Sequence, residues 1–554
     1  MKINLKNIFC VVASAAALTA CIGDLDSLPL SKDTVTADGA YTQSEAAYVQ
    51  GLAKIYMQLI SNNTQDLQVA DGGASEMLRA FWSTQEVTAD ACKCAWGDAW
   101  VQDLNNNTWT ATALNDAVYA VYVRTLQGVS YANEYLRQTD PALLAEKGAS
   151  SELINKVESF RAEARFLRAY FYWMALDAFG DVPFTTEATE LGGALPKQLS
   201  RAELFNFCVR ELEELAAEGS PMPEARSNYP RTDKGSCLGL LARMYLNAEV
   251  YTTVKDAAGA VVTPGTKMFD KAKLTCERIY KLGYSLAPTH AEIFRGDNGE
   301  NPDARKEMLF VASYNAEKSQ SYGGTSYLSF AAIEAEIPNT IGINNGWGGI
   351  RVPFDYVNRY FGVEPESSNY NTGEYKMTDK RGQYFYIKGR TESMEDNIDD
   401  FKYGWSYFKF NNIPHDKTAE EFKETAATKA YSDIDYPIIR LGEIHLIYAE
   451  ACMHEGGSAA AQLAELSERA GVNPPATVDP AYLEAERARE LMWEGHRRTD
   501  LVRYGLFSGN IYTWTYKGGS FQGQGIAPYM DIFPIPPTEM KTNPELHQNP
   551  GYNN

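Results

Sequence analysis

The chain has 554 residues, 44% of them apolar, and carries 72 acidic against 51 basic side chains for a formal charge of −21. Neutralising phosphates needs clustered Lys and Arg, so this balance excludes a nucleic-acid binder, and it equally excludes adhesion to an anionic leaflet through a polybasic patch. After the N-terminal segment no stretch approaches 18 consecutive apolar residues, so the body does not span a bilayer.

Lys2 and Lys6 precede a short apolar run from Ile8 to Ala17, and Leu18-Thr19-Ala20-Cys21 follows. The run is too short to cross a membrane and reads as a cleaved export leader over residues 1–20. Its ending resembles a bacterial lipobox, which makes Cys21 the acylated first residue of the mature chain. More than one acyl chain, at about 0.8 kcal/mol per buried CH2, gives an effectively permanent anchor.

Amphipathic helical runs then occupy about 44–60, 114–138, 160–178, 200–217, 233–250, 267–282, 440–455 and 480–505. In one of them Phe160, Ala164, Leu167, Phe171, Met174 and Ala178 recur at helical steps, and Gly180-Asp181-Val182-Pro183 stops the helix. Paired in succession, these runs predict a mostly α, tetratricopeptide-like solenoid. Residues 295–430 break the pattern with Gly-Gly pairs, aromatics and Asn, and read as a loop-rich insertion forming a ligand face. The expected organisation is thus a leader (1–20), an N-terminal helical region (21–294), the insertion (295–430), and a C-terminal helical region with a Pro-rich tail (431–554).

Six of the eight cysteines lie beyond Cys21, too scattered for a disulfide framework, and are expected to be buried apolar residues. None of the six histidines forms a paired metal-ligand motif. Asp297, Asn298 and Glu300 sit in an oxygen-rich loop and are weak calcium candidates, with a solvated acidic turn the favoured reading. The charge-dense run Glu486–Arg503 reads as structural, with Glu494/Arg498 and Asp500/Arg503 spaced for ion pairs. A hydrolase barrel's strand–helix alternation is missing, as is a Gly-x-Ser-x-Gly elbow, so an enzyme is not expected.

The most informative side chains are aromatic. Trp96 lies in a segment without a helical apolar stripe, Trp347 is wrapped in Asn344-Asn345-Gly346 and Gly348-Gly349, and Tyr322 adjoins Gly323-Gly324. The glycines are expected to keep these rings exposed and let a ligand approach. Asp98 and Asn345 are polar candidates from spacing alone.

Several segments together resemble the SusD/RagB family of Bacteroidetes outer-membrane lipoproteins. They are Phe160–Phe171 with Phe179-Gly180-Asp181-Val182-Pro183, Arg440–Ile444 through Tyr448–Ala451, Arg487–Leu491 with Glu494–Arg503, and Phe533-Pro534-Ile535-Pro536 with Gln548–Tyr552. The neighbourhood 85–109 is similar to the starch-binding members. The resemblance implies a surface-exposed lipoprotein that captures a glycan, an α-glucan such as starch or maltooligosaccharide by preference. It implies delivery to a SusC-like TonB-dependent outer-membrane transporter. Asp24 and Asp26 resemble the surface-export signal of such lipoproteins. The family's aromatic arc supports Trp96, Tyr322 and Trp347 as ring platforms, with Arg79 as a partner for sugar hydroxyls. Peptide capture, as in RagB-like import partners, is the alternative, and a surface glycoside hydrolase a more distant one.

Overall fold

The structure, a computed structural model, describes residues 44–62, 72–334, 337–363, 365–395 and 397–552. The leader, Cys21, Asp24 and Asp26 fall outside the described residues. The helices named below are α1 (Glu45–Ile60), α2 (Met77–Glu86), α3 (Ala99–Asn106), α4 (Asp116–Gln138), α5 (Ser151–Phe179), α6 (Arg201–Leu215), α7 (Lys234–Leu246) and α8 (Phe269–Tyr280). Further along come α9 (Gly324–Phe330), α10 (Phe354–Phe361), α11 (Leu441–Glu455), α12 (Ala460–Ala470), α13 (Pro480–Glu490) and α14 (Arg497–Arg503). Helices pack against one another in pairs, α4 on α5, α6 on α7 and, across the loop-rich region, α8 on α11, which bears out the expectation of a mostly helical, tetratricopeptide-like scaffold.

The centre of this scaffold is α5. The Ser150 hydroxyl caps its start by accepting from Leu153 N, and Gly180, at φ 73°, ends it. Every residue from Phe166 to Phe179 is buried, as befits a helix that is apolar nearly all round. Two of its buried charged side chains, Arg168 and Asp177, tie it to neighbouring elements. Arg168 bonds Asn133 and Glu211, each at 2.8 Å, and Asp177 accepts from Tyr251 at 2.9 Å and Thr499 at 2.8 Å. The tail packs here too: Phe533 N donates to Ala178 O at 2.7 Å, and Phe533 and Ile535 are fully buried.

Four short strands matter for the site: β1 (Lys93–Cys94), β2 (Met308–Ala312), β3 (Ile350–Arg351) and β4 (Tyr436–Arg440). Antiparallel β2 and β4 stitch the start of the loop-rich region to the C-terminal helices. Antiparallel β1 and β3 pair Lys93 with Arg351 and Cys94 with Ile350.

A lattice of buried charges fastens the same regions. Arg440 reaches Glu307 at 2.9 Å, Glu490 at 2.7 Å and Glu494 at 2.6 Å, while Arg381 holds Asp379 and Glu486 at 2.6 Å and Glu490 at 2.9 Å. Burial alone would raise the Glu490 carboxyl, but the surrounding Arg469 and Arg440 hold it well below its ordinary range. The Glu486–Arg503 run is therefore structural, with Asp500 and Arg503 paired at 2.9 Å. Glu494/Arg498 does not form: Glu494 is taken by Arg440, and the Arg498 guanidinium turns to Met530 O and lies 4.3 Å from the Phe533 ring centroid. The run expected over 480–505 is two helices, because Trp493 and Gly495 adopt left-handed backbone at φ 62° and 75°. Cys92, Cys94, Cys208, Cys237, Cys276 and Cys452 are buried free thiols, as composition suggested.

Candidate functional site

Short helix α9 organises the site from segments distant in sequence. The chain after it returns to its C-terminal end, where Trp347 N donates to Phe330 O at 2.7 Å and Gly349 N to Ala331 O at 2.8 Å. The β1–β3 ladder then lays Trp96 alongside Trp347, whose carbonyl accepts from Trp96 Nε1 at 3.3 Å. On the other flank the Thr325 hydroxyl donates to Ile434 O at 2.8 Å, and the Ser326 hydroxyl accepts from Ser432 N at 3.0 Å. Those two bonds seat Tyr431 beside Tyr322.

The outcome is a row of partly exposed rings. Tyr322 is 49% exposed, and Trp96, Trp347 and Tyr431 are half-buried. Tyr322 and Trp347 centroids lie 5.9 Å apart with planes at 63°, and Tyr322 and Tyr431 lie 5.1 Å apart at 42°. The ring planes are therefore inclined to one another and do not make one flat face. A hydrogen bond with Tyr322, and then burial, raise the Tyr431 phenol above its ordinary range. Sequence reasoning missed Tyr431. It sits between Ala430 and Ser432 without a flanking glycine, and only the α9 contacts bring it into the row.

The remaining candidates divide. Asn345 is exposed beside Trp347, and Asp98 is exposed at the start of α3, where its side chain makes no capping bond. Arg79 lies beneath the row instead of within it. It is 2% exposed, with its guanidinium 4.4 Å from the Tyr327 centroid and 5.3 Å from that of Trp96. It supports the platform from behind, a placement that sequence could not distinguish from direct contact. Gln102 is a second omission: its amide donates to Trp96 O at 2.8 Å and fixes the turn before α3.

The flanking glycines also let neighbouring groups of the protein approach closely. A Cβ at Gly349 would meet the Trp96 indole at 2.8 Å, so this glycine lets the ring lie against backbone. A Cβ at Gly323 would strike the Glu76 carboxylate. The glycines thus permit internal close approach that sets the rings in place.

Glu76, buried at the start of α2, pins the Tyr322 turn. Its carboxylate accepts from Gly324 N, from Arg79 N at 3.1 Å, from the Tyr314 hydroxyl at 2.6 Å and from the Ser321 hydroxyl at 3.3 Å. Burial pushes it up to about 7 despite those bonds. Asp435 holds the other end of the segment, accepting from Tyr314 N at 2.9 Å and the Tyr229 hydroxyl at 2.6 Å, and burial raises it to about 6.

The calcium set does not converge. The Asn298 amide is buried and turned inward, donating to Ile293 O at 2.7 Å and Asp435 O at 2.8 Å and accepting from Asp435 N at 2.9 Å. Glu300 is exposed, and Asp297 bonds the backbone and ring of His415. A hard cation needs six or more oxygens, and this loop has spent its best one on the backbone.

Comparison with known proteins shows the family and the fold. The SusD family model matches residues 306–552, and a second model, described as starch-binding associating with outer membrane, matches residues 46–246. Among curated relatives, the starch-binding protein SusD of Bacteroides thetaiotaomicron is 30% identical over 98% of this chain and 97% of its own length. A SusD-like protein of Bacteroides ovatus is 22% identical over 91% of this chain and 83% of its own length. Among solved structures, a SusD superfamily protein from Parabacteroides distasonis superposes with TM-score 0.66 at 19% identity, over 92% of this chain and 99% of its own. The surface glycan-binding protein A of Bacteroides thetaiotaomicron, in complex with laminarihexaose, superposes with TM-score 0.63 at 18% identity over 91% and 99%. The expected scaffold and the family resemblance are both borne out: the chain belongs to the SusD family.

Proposed function

We propose that the protein is a cell-surface receptor that captures an α-glucan on the curved row Trp96–Trp347–Tyr322–Tyr431 and passes it to a TonB-dependent outer-membrane transporter without altering it. The observation that carries this reading is the row itself. Sugars present flat C–H faces edged by hydroxyls, and aromatic rings cover the faces. Burying roughly 100 Å² on one ring gains about 2.5 kcal/mol at about 25 cal/mol per Å². Association costs about 4 kcal/mol or more, so one ring is insufficient and several acting together give modest affinity. Ring planes inclined at 63° and 42° suit a ligand that curves, such as a helical glucan, better than a flat ribbon.

Asn345 and Asp98 stand at the edge of the row as acceptors and donors for hydroxyls, and Arg79 stiffens it through its contacts with Trp96 and Tyr327. The relatives with a printed activity are named as binding proteins, which supports capture without hydrolysis. The lipobox resemblance at Cys21 supports a lipid anchor, and the family supports the transporter as partner.

Isothermal titration with maltoheptaose, laminarihexaose, cellohexaose and a mixed-sequence heptapeptide tests the reading. Maltoheptaose is expected to bind tightest, and the Trp96→Ala, Trp347→Ala double variant to lose about 100-fold, or about 2.7 kcal/mol. Unchanged affinity in the folded double variant rejects the site. Preference for the heptapeptide rejects the glycan. Incorporation of labelled palmitate that disappears in Cys21→Ala checks the anchor.

A further inference from the structure

Away from the ring row, a cavity of about 260 Å³ opens between the 226–233 turn, the short helix at 302–305 and strand β2. In a chain of charge −21 its wall is unexpectedly basic: Arg226, Arg231, Arg305 and Lys306 line it, against the single carboxylate of Asp233. Two of the cations are neutralised. Arg231 grips Glu163, with Nε donating at 2.9 Å, and Lys306 pairs with Asp303. Asp233 is spent as well, accepting from Arg226 N at 2.6 Å, Gly235 N at 2.8 Å and Ser236 N at 3.1 Å.

Arg226 and Arg305 remain, and among the described residues neither guanidinium forms an ion pair with a carboxylate. Each is held by an aromatic ring. Arg305 lies 4.4 Å from the Tyr229 centroid, and Arg226 lies 5.8 Å from that of Tyr284 while also donating to Gly283 O. A guanidinium stacked on a ring loses little further freedom on binding, and its fork matches the two oxygens of a carboxylate or sulfate. The buried apolar residues Met308, Leu309, Phe310 and Val311 form the floor beneath them. The Tyr229 hydroxyl is already committed to Asp435, leaving charge as the dominant recognition element.

We propose that this cavity is a second binding site, specific for an oxyanion group, carboxylate or sulfate, on a ligand of which the cavity itself takes about one sugar ring. Its volume falls just below the roughly 300–1,000 Å³ of drug-sized pockets, in keeping with a portion of that size. The site is independent of the ring row: a neutral glucan has nothing to offer it, and an acidic sugar engages it without the tryptophans.

Titration of the full-length protein with digalacturonate, sodium sulfate and maltose tests the proposal. Digalacturonate is expected to bind, with affinity falling at least 10-fold in Arg305→Ala and in Arg226→Ala and falling again as NaCl is raised from 0.05 to 0.3 M. The Trp96→Ala, Trp347→Ala variant is expected to bind digalacturonate as the native chain does, so failure here and failure of the ring row are separable. Sulfate binding that competes with digalacturonate supports the oxyanion assignment, and sulfate binding alone assigns the site to a free inorganic anion. Absence of binding by both anions, or unchanged affinity in the Arg226→Ala, Arg305→Ala double variant, overturns it. Both arginines are exposed, so the variants are expected to fold.

Discussion

The charge lattice around 484–503 and the ring row around α9 are both dense in chemistry, and they differ in what their side chains face. In the lattice, Arg440, Glu490 and Glu494 are each at most 1% exposed, and their functional atoms are consumed by one another. In the row, Tyr322 is 49% exposed and its neighbours keep one side open. A run such as Glu494–Arg503 looks like an active site in sequence because acids and bases recur at helical spacing, yet burial converts that pattern into glue. The rings come from segments far apart in sequence, and only the fold brings them into one row.

Substitutions can break this contrast, beginning where the effect is largest. Arg440→Ala leaves Glu307, Glu490 and Glu494 without their shared cation, and such a change costs about 3–5 kcal/mol. Chemical denaturation is expected to show that loss, while the fraction still folded binds maltoheptaose as before; altered affinity in the folded fraction would join the two regions functionally.

Next comes Glu76→Gln. The raised Glu76 carboxyl means that the folded chain holds a proton the unfolded chain has released between about pH 4.5 and 7. This group's contribution to stability therefore falls as pH rises through that window. At about 1.4 kcal/mol per unit the change is roughly 3 kcal/mol. The variant's Tm is expected to drop less than the native Tm between pH 5 and 8. Parallel curves would remove Glu76 from this account.

Tyr322→Ala, changing an exposed ring, is expected to weaken maltoheptaose binding about 10-fold with Tm nearly unmoved, the reverse of the Arg440 result. Smallest is Tyr431→Phe. Only the phenol bond to Tyr322 is lost, and titration should show about a 2- to 3-fold weakening.

Much of the scaffold was legible before the coordinates. Helical periodicity found α1, α4, α6, α8 and α11 to within a few residues, since each buries one face. The break between α13 and α14 was not, because the left-handed backbone at Trp493 belongs to a residue type that rarely adopts it. At the site, Tyr322 and Trp347 are visible through their glycine neighbours and Trp96 through its lack of a helical apolar stripe, and Gly323 and Gly349 also make room for Glu76 and the Trp96 indole. Tyr431 and Gln102 were invisible, because their roles depend on hydrogen bonds to α9 and to the Trp96 carbonyl, which only the folded chain creates. Asn298 misled for a related reason: an amide in an acidic loop looks like a cation ligand until the backbone claims it.

The seven-residue helix α9 has a corollary. Four separate strips of chain hang their rings on this one peg, through the turn at Tyr322, the carbonyl of Phe330, the hydroxyls of Thr325 and Ser326, and the face of Tyr327. Because Trp96 and Trp347 are tied by the β1–β3 ladder and an indole–carbonyl bond, a change in either strip moves that pair together, whereas the Tyr322 and Tyr431 strips reach the peg by separate bonds. The arrangement of the rings can thus change through the strips that carry them, while the helical body, fastened by its own buried contacts, stays as it is.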